Sequence, residues 1–268
     1  MREHSLDAWR RLRRRDLLAA AILLGYGLLA AAIQLGASVA GQGLDPVWAA
    51  ARQRGALRVA VDIGYYPFSS LDGGQPAGYD IDLAAALAAK LGLRAEFVAS
   101  NLDSIYDDLS NRRADMAASA LPYAPEQGWR AGFSTFYFNA GQAQLAGARV
   151  GVPLGSDADT YARGLAAGDP SIVVRAGYDT PAEVLADLRR GALDAAIVDN
   201  AAALIDLGHR PGLTTAGPAL TLEPYALGFA ADAFQLRDAV NHALEQLRQE
   251  GFFERNGRKW FVEAPEQR

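Results

Sequence analysis

Cysteine is absent from the 268 residues. Disulfides, thiol nucleophiles, Cys-ligated zinc, iron–sulfur clusters and a lipidated N-terminal Cys are thereby excluded. Histidine is nearly as scarce. His4, His209 and His242 are too scattered to build a metal centre, so neither a metal nor a cofactor is expected. A basic stripe is missing too. The formal net charge is −5, and the first 16 residues gather six arginines (Arg2, Arg10, Arg11, Arg13, Arg14, Arg15) against Glu3, Asp7 and Asp16. The remaining body is therefore more acidic than the whole. Displacing counterions from a phosphate backbone needs clustered Lys and Arg, so nucleic acid is excluded as a partner. What is present is 50% hydrophobic and 9% aromatic content, with 27 Gly and 12 Pro. That is a folded chain with a sizeable core, not a disordered or collagen-like one. The length predicts about two domains at roughly 100–200 residues each.

Charged residues are also missing from Leu17 to Leu44, and Leu17 to Ile33 is nearly all Leu, Ala, Ile and Gly. Spanning ~30 Å of hydrocarbon takes about 20 such residues. The arginines lie on one side of this run, which predicts residues 1–16 as a cytoplasmic basic tail and the body outside the membrane. Residues 17–40 read as a transmembrane anchor or as a signal peptide. Ser38-Val39-Ala40 offers small residues for cleavage after Ala40, whereas the length of the apolar run favours the anchor. The expected location is the outer face of the cytoplasmic membrane, periplasmic or extracellular.

The body is written twice. Gly55 to Asp62 is a β-branched run ending at a Gly64 turn, and Gly147 to Gly155 follows the same plan. A helix is predicted from Asp80 to Leu91, with Leu83, Leu87 and Leu91 as one apolar stripe, early acids at its N-terminus and Gly92 at C′. Arg94 to Val98 is the next strand. Asp103 is expected to cap a helix bearing Ile105 and Leu109, and Arg112-Arg113-Ala114-Asp115 leads into a strand over 116–120. The second half repeats this order. A strand is predicted over 171–174, then a helix begun by Thr180-Pro181-Ala182-Glu183, with Val184, Leu185 and Leu188 facing inward. Arg189-Arg190-Gly191-Ala192-Leu193-Asp194 then leads into a strand over 195–198. Phe234 to Glu250 reads as an amphipathic helix through Leu236, Val240, Leu244 and Leu247. Alternating strands and helices predict parallel sheets with helical cover. Two such units predict two α/β lobes, with ligand held at the carboxyl ends of the strands.

These residues resemble the bacterial extracellular solute-binding proteins of family 3, which serve polar amino acid ABC transporters. The resemblance spans about residues 55 to 262. It rests on Leu57 to Asp62 with Tyr66-Pro67-Phe68, Gly78 to Leu83, Arg113-Ala114-Asp115, Phe133-Ser134, Gly151 to Ser156, Asp194 to Asp199, and Leu236 to Val240 through Gly251 to Lys259-Trp260. It implies an α/β, two-lobed Venus-flytrap fold of the type II periplasmic binding proteins. Lobe 1 would cover 55–139 and lobe 2 145–223, with 224–268 returning to lobe 1. It further implies that a small polar amine or amino-acid-like ligand closes the lobes and that the closed form is presented to an ABC permease. No catalytic role is expected. The implied ligand contacts are Tyr65, as an aromatic packing on the ligand, Ser119 and Ala120 at the end of a lobe-1 strand, and Asp199, as the acid that meets an ammonium. Ser156 and Asp157 lie at the lobe-2 strand-to-helix turn, where backbone N–H groups can hold an anion. Plainer readings stand beside these: a core aromatic for Tyr65, turn chemistry for Ser156 and a helix cap for Asp199.

The sequence departs from the family pattern after the strand over 116–120. Where the family's hydroxyls, Glu and carboxylate-gripping Arg would fall stand Pro122, Ala124, Glu126 and Gln127. Gln127 donates hydrogen bonds but has no charge, and it cannot match a guanidinium fork. Arg130, one helical turn on, is a substitute only if it points inward. Leu102 replaces an aromatic, and the join over 140–146 is short. An altered carboxylate half predicts an amine or a modified amino acid as ligand. The alternatives are a membrane-anchored sensor or scaffold of the same fold without transport, and a dehydratase-like enzyme drawing on Asp199 or Glu126 for proton transfer.

Overall fold

The computed structural model describes residues 45–144, 149–216 and 219–263. The basic tail, the expected membrane segment 17–40 and the cleavage point after Ala40 lie outside them. Among the described residues no helix is long and apolar enough to cross a membrane.

Helix α1 (Pro46–Arg54) precedes the first expected strand. Asp45 caps it, accepting from the Val47 and Trp48 amides at 2.9 and 3.0 Å, while its other oxygen accepts from the Leu236 amide. Strand β1 (Ala56–Asp62) follows, then the hairpin β2 (Ser70–Asp72) and β3 (Gln75–Ala77). Helix α2 (Tyr79–Lys90) buries Leu83 and Leu87. It ends at Leu91, with Gly92 at φ +71° where a left-handed C′ residue is needed. Strand β4 (Arg94–Ser100) leads to α3 (Ile105–Ser110), β5 (Met116–Ala117), β6 (Ala131–Phe133) and β7 (Phe138–Asn139). Then come β8 (Gln142–Gln144), β9 (Arg149–Pro153), α4 (Asp157–Gly168), β10 (Val173–Tyr178), α5 (Pro181–Arg189), β11 (Ala195–Asp199) and α6 (Asn200–His209). The chain closes with β12 (Pro224–Tyr225), β13 (Gly228–Ala230), α7 (Phe234–Gln249) and α8 (Phe252–Gly257), and a π-helical turn over Arg258–Glu263.

Two sheets result. One has the order β4-β1-β5-β13-β6, with β1 parallel to β4 and β5 and with β13 antiparallel to its neighbours. The other has the order β10-β9-β11-β8, parallel except for β8. The chain passes from the first sheet to the second through β7 and β8 and returns through β12, which pairs antiparallel with β7. Each sheet has its own core. Leu57, Phe68, Leu83, Leu87, Phe229, Leu236 and Leu244 fill the first. In the second, the period-2 alternation of β11 sends Ala196 and Val198 toward Val184 and Leu185, and Ala195 and Ile197 toward Val152 and Ala162. Burying these apolar faces at about 25 cal/mol per Å² is the main driving force for each half.

Local chemistry moved several expected boundaries. The strand expected over 116–120 stops at Ala117, because Ala120 turns to φ +46° with its amide held by the buried Asp80 carboxylate. The strand expected over 171–174 starts at Val173, because Asp169 accepts from the Ser171 amide and hydroxyl and bends the preceding turn. Ser104, not Asp103, is the N-cap of α3, and Asn101 accepts from its amide at 3.0 Å.

Candidate ligand-binding site

Strands β9 and β11 run parallel, so their carboxyl ends open on the same side of the second sheet. After β9, Gly155 takes φ +72° and turns the chain into α4. Ser156 caps that helix: its hydroxyl donates to the Pro153 carbonyl at 2.7 Å and accepts from the Asp159 amide at 3.2 Å. After β11, Asp199 caps α6, its Oδ1 accepting from the Ala202 amide at 2.8 Å. The crossing segments wall one side. The Asn139 Oδ1 atom accepts from the Gly141 and Glu223 amides, and the Thr221 hydroxyl accepts from the Gln142 amide, locking the two passages together. From the first sheet Tyr65 projects past the end of β1, half exposed, with its ring stacked on Phe68 at 5.6 Å and its hydroxyl 3.3 Å from that of Tyr225.

Together these elements enclose a crevice of about 460 Å³. Tyr65, Ser156, Asp157 and Asp199 line it, as does Gly155. Among the further lining residues that were not anticipated as site residues are Ala140, Gln142, Glu223 and Tyr225. All four belong to the crossing segments, and their placement follows from where two passages of chain meet. The only trace of it in the sequence is the cluster of polar and aromatic residues at the expected lobe boundaries.

The remaining expected contacts lie elsewhere. Ser119 is buried, and its hydroxyl accepts from the Asp62 amide at 2.5 Å. The Ala120 amide donates to Asp80 Oδ2 at 2.6 Å. Both groups are used inside the first sheet, and neither residue lines the crevice. Gln127 sits half-buried on a 3₁₀ turn over Pro125–Gln127, also away from the lining. Arg130 does not replace it there: its guanidinium pairs with Asp107 at 2.8 Å and lies over the Tyr106 ring. Both plainer readings also hold, since Ser156 performs turn chemistry and Asp199 is a cap as well as a lining residue. Phe68 is fully buried and serves the core.

The electrostatics are one-sided. Asp157, Asp199 and Glu223 line the crevice, and among the described residues no Lys, Arg or His does. Burial raises the Asp199 carboxyl above its ordinary value, and the like charge of Glu223 raises it further, while the Ala202 amide opposes both. Burial also raises the Tyr225 phenol, helped by its contact with Tyr65. Carboxylates set apart from water are costly to keep charged without a positive partner.

Residues 57–263 match the model of a family described as bacterial extracellular solute-binding proteins, family 3. The L-cystine-binding protein of Escherichia coli is 29% identical over 253 residues, covering 88% of this chain and 93% of that protein. The lysine/arginine/ornithine-binding periplasmic protein of Escherichia coli is 28% identical over 229 residues, covering 76% and 87%. Among solved structures, an ancestral cationic amino acid solute binding protein superposes with a TM-score of 0.61 at 30% identity, covering 78% of this chain and 96% of the other. An ancestral cyclohexadienyl dehydratase superposes with a TM-score of 0.67 at 27% identity, covering 78% and 94%. The fold is the α/β type II periplasmic binding protein fold, as the sequence resemblance implied.

Proposed function

Because the chain belongs to the bacterial extracellular solute-binding proteins, family 3, we propose that it is the extracytoplasmic binding component of an ABC importer. It captures a small amine or amino-acid-like solute between its two sheets and presents the closed form to a permease. The observation that carries this reading is the crevice itself. It lies at the carboxyl ends of β9 and β11, is walled by the two crossing segments and is faced by Tyr65 from the other sheet. Closure follows from contacts that a ligand makes with both halves only when they meet.

Asp199 receives the ammonium of the solute, and Tyr65 packs on its stem. Residues 55–139 and 224–268 form one lobe, 145–223 the other. The charge-free run over 17–40 holds the protein at the outer face of the membrane, or is removed after Ala40. Binding without turnover is the better reading, because the curated relatives above are named for what they bind. The test is a thermal-shift screen of amino acids and amines on the purified full chain. A ligand present at 100 times its dissociation constant stabilises by about 2.7 kcal/mol. A shift abolished by Asp199→Ala supports the proposal, and no shift with any member of the panel rejects it.

A further inference from the structure

The crevice has three carboxylates and no cation, and this bears on what the ligand lacks. A solute carboxylate entering here needs positive partners. Among the described residues no Lys, Arg or His lines the site, and Arg130 is held by Asp107. The positive end of α4 is already occupied: Asp157 and Asp159 stand in its first turn, and the Gly155 amide donates to Asp159 Oδ2 at 3.1 Å. A carboxylate would therefore meet like charge at that turn.

Gln142 adds an independent observation. It lines the crevice, is only 5% exposed, and its Oε1 atom has no hydrogen-bond partner among the described residues. A buried acceptor without a donor is costly, and an ammonium, with three donors and no acceptor, is its match. Gln142 is also the register partner of Asp199 across β8 and β11. Glu223 stands on the returning segment, its Oε1 accepting from Thr221 at 2.9 Å. Acids from two different elements thus offer two ammonium positions, with the Tyr65 and Tyr225 rings beside them to cover a methylene stem.

We propose that the crevice selects a short-chain diamine, a dication without a carboxylate, with one ammonium shared by Asp199 and Gln142 and the other held by Glu223. This rests on the solute-binding reading given above. Titration calorimetry on the full chain separates the two. The probes are 1,4-diaminobutane and 1,5-diaminopentane, with L-ornithine and L-lysine as their carboxylated counterparts and 1-aminobutane as a single-charge control. Each diamine is expected to bind at least about ten-fold more tightly than its amino acid. Glu223→Gln, which keeps an acceptor for Thr221, is expected to weaken diamine binding about ten-fold and to leave 1-aminobutane within about two-fold. Tighter binding of either amino acid than of its diamine, or an unchanged diamine affinity in Glu223→Gln, overturns the diamine inference and leaves solute binding standing. Absence of binding by every probe, together with a silent thermal-shift panel, overturns both.

Discussion

Asp199 uses one carboxylate for two purposes, and the purposes can be separated by substitution. Its Oδ1 caps α6 through the Ala202 amide, and the residue also lines the crevice. Asparagine caps a helix about as well as aspartate but has no charge. Asp199→Asn is therefore expected to keep the melting temperature nearly unchanged while weakening ligand binding ten-fold or more. Asp199→Ala is expected to lose binding and about 1 kcal/mol of stability as well. Calorimetry with parallel thermal melts checks both. Asp80 presents a different residue-scale problem. It is fully buried, with Oδ2 accepting from the Ala120 amide and the Tyr137 hydroxyl and Oδ1 unpartnered among the described residues. Burial pushes its carboxyl up to about 7, against hydrogen bonds that lower it. The folded state thus keeps this proton where the unfolded chain, at 3.8, has released it. The stabilisation is full below pH ~4 and is lost as pH rises to ~7, on the order of 4 kcal/mol in all. Denaturant unfolding between pH 4 and 8 should show that wild type loses stability relative to Asp80→Asn across that window. A constant difference between the two would refute the assignment.

At the scale of elements, the internal repeat is visible in hydrogen bonds as well as in order. In the first half the Asp115 amide donates to the Arg58 carbonyl, and Asp115 Oδ2 accepts from the Arg58 amide at 2.8 Å. In the second half Asp194 and Arg149 repeat both bonds, the carboxylate accepting at 2.9 Å. In each case an acid leaving a helix turn is tied to the opening of the neighbouring strand. The environments differ. Asp115 is buried and pairs with Arg54 and Arg58, whereas Asp194 is exposed and its carboxyl is held down at about 2 by Arg149. Removing one partner of a buried pair leaves uncompensated charge, so Asp115→Ala is expected to cost about 3–5 kcal/mol in denaturant unfolding. Asp194→Ala should cost far less, because solvent screens its pair. The repeated order of an Arg pair followed by Asp and a small-residue strand was legible as a pattern, with one residue before Asp115 and three before Asp194, yet nothing in it distinguished the buried copy from the exposed one. Burial depends on what else packs there, and only the first copy lies beside α1. Gly141, where the chain crosses between sheets, is a further element-scale constraint. A Cβ placed there would stand 1.9 Å from the Thr221 carbonyl oxygen. Gly141→Ala is expected to part the two crossing segments, to cost roughly 1–3 kcal/mol and to weaken ligand binding, readable in one set of ligand-dependent melts.

For the whole molecule, function depends on two sheets joined by two short passages and by the packing of α6, through Ala201, Leu204 and Ile205, against the first core and the C-terminal π-helical turn. The pair β7 and β12 contributes only two residues from each side. A ligand that touches Asp199 in one half and Tyr65 in the other is expected to shift the population toward a more compact form. Small-angle scattering with and without a bound diamine should show a smaller radius of gyration in the bound state, and an unchanged radius would count against closure.

By itself the sequence determined the alternation of strands and helices, their duplication, the acidic body and the absence of thiols. Those are local or compositional properties, readable from periodicity, caps and counts. Through the family resemblance it also pointed to Tyr65, Ser156, Asp157 and Asp199, all of which line the crevice. Tertiary structure decided the rest. Ser119, Ala120 and Gln127 sit near strand ends too, but their polar groups are used internally or point elsewhere. Gln142, Glu223 and Tyr225 entered the crevice only because two chain passages, about 80 residues apart in sequence, run side by side. Which carboxylates share one enclosed volume, and so what charge a ligand must bring, is a non-local quantity that no single segment encodes.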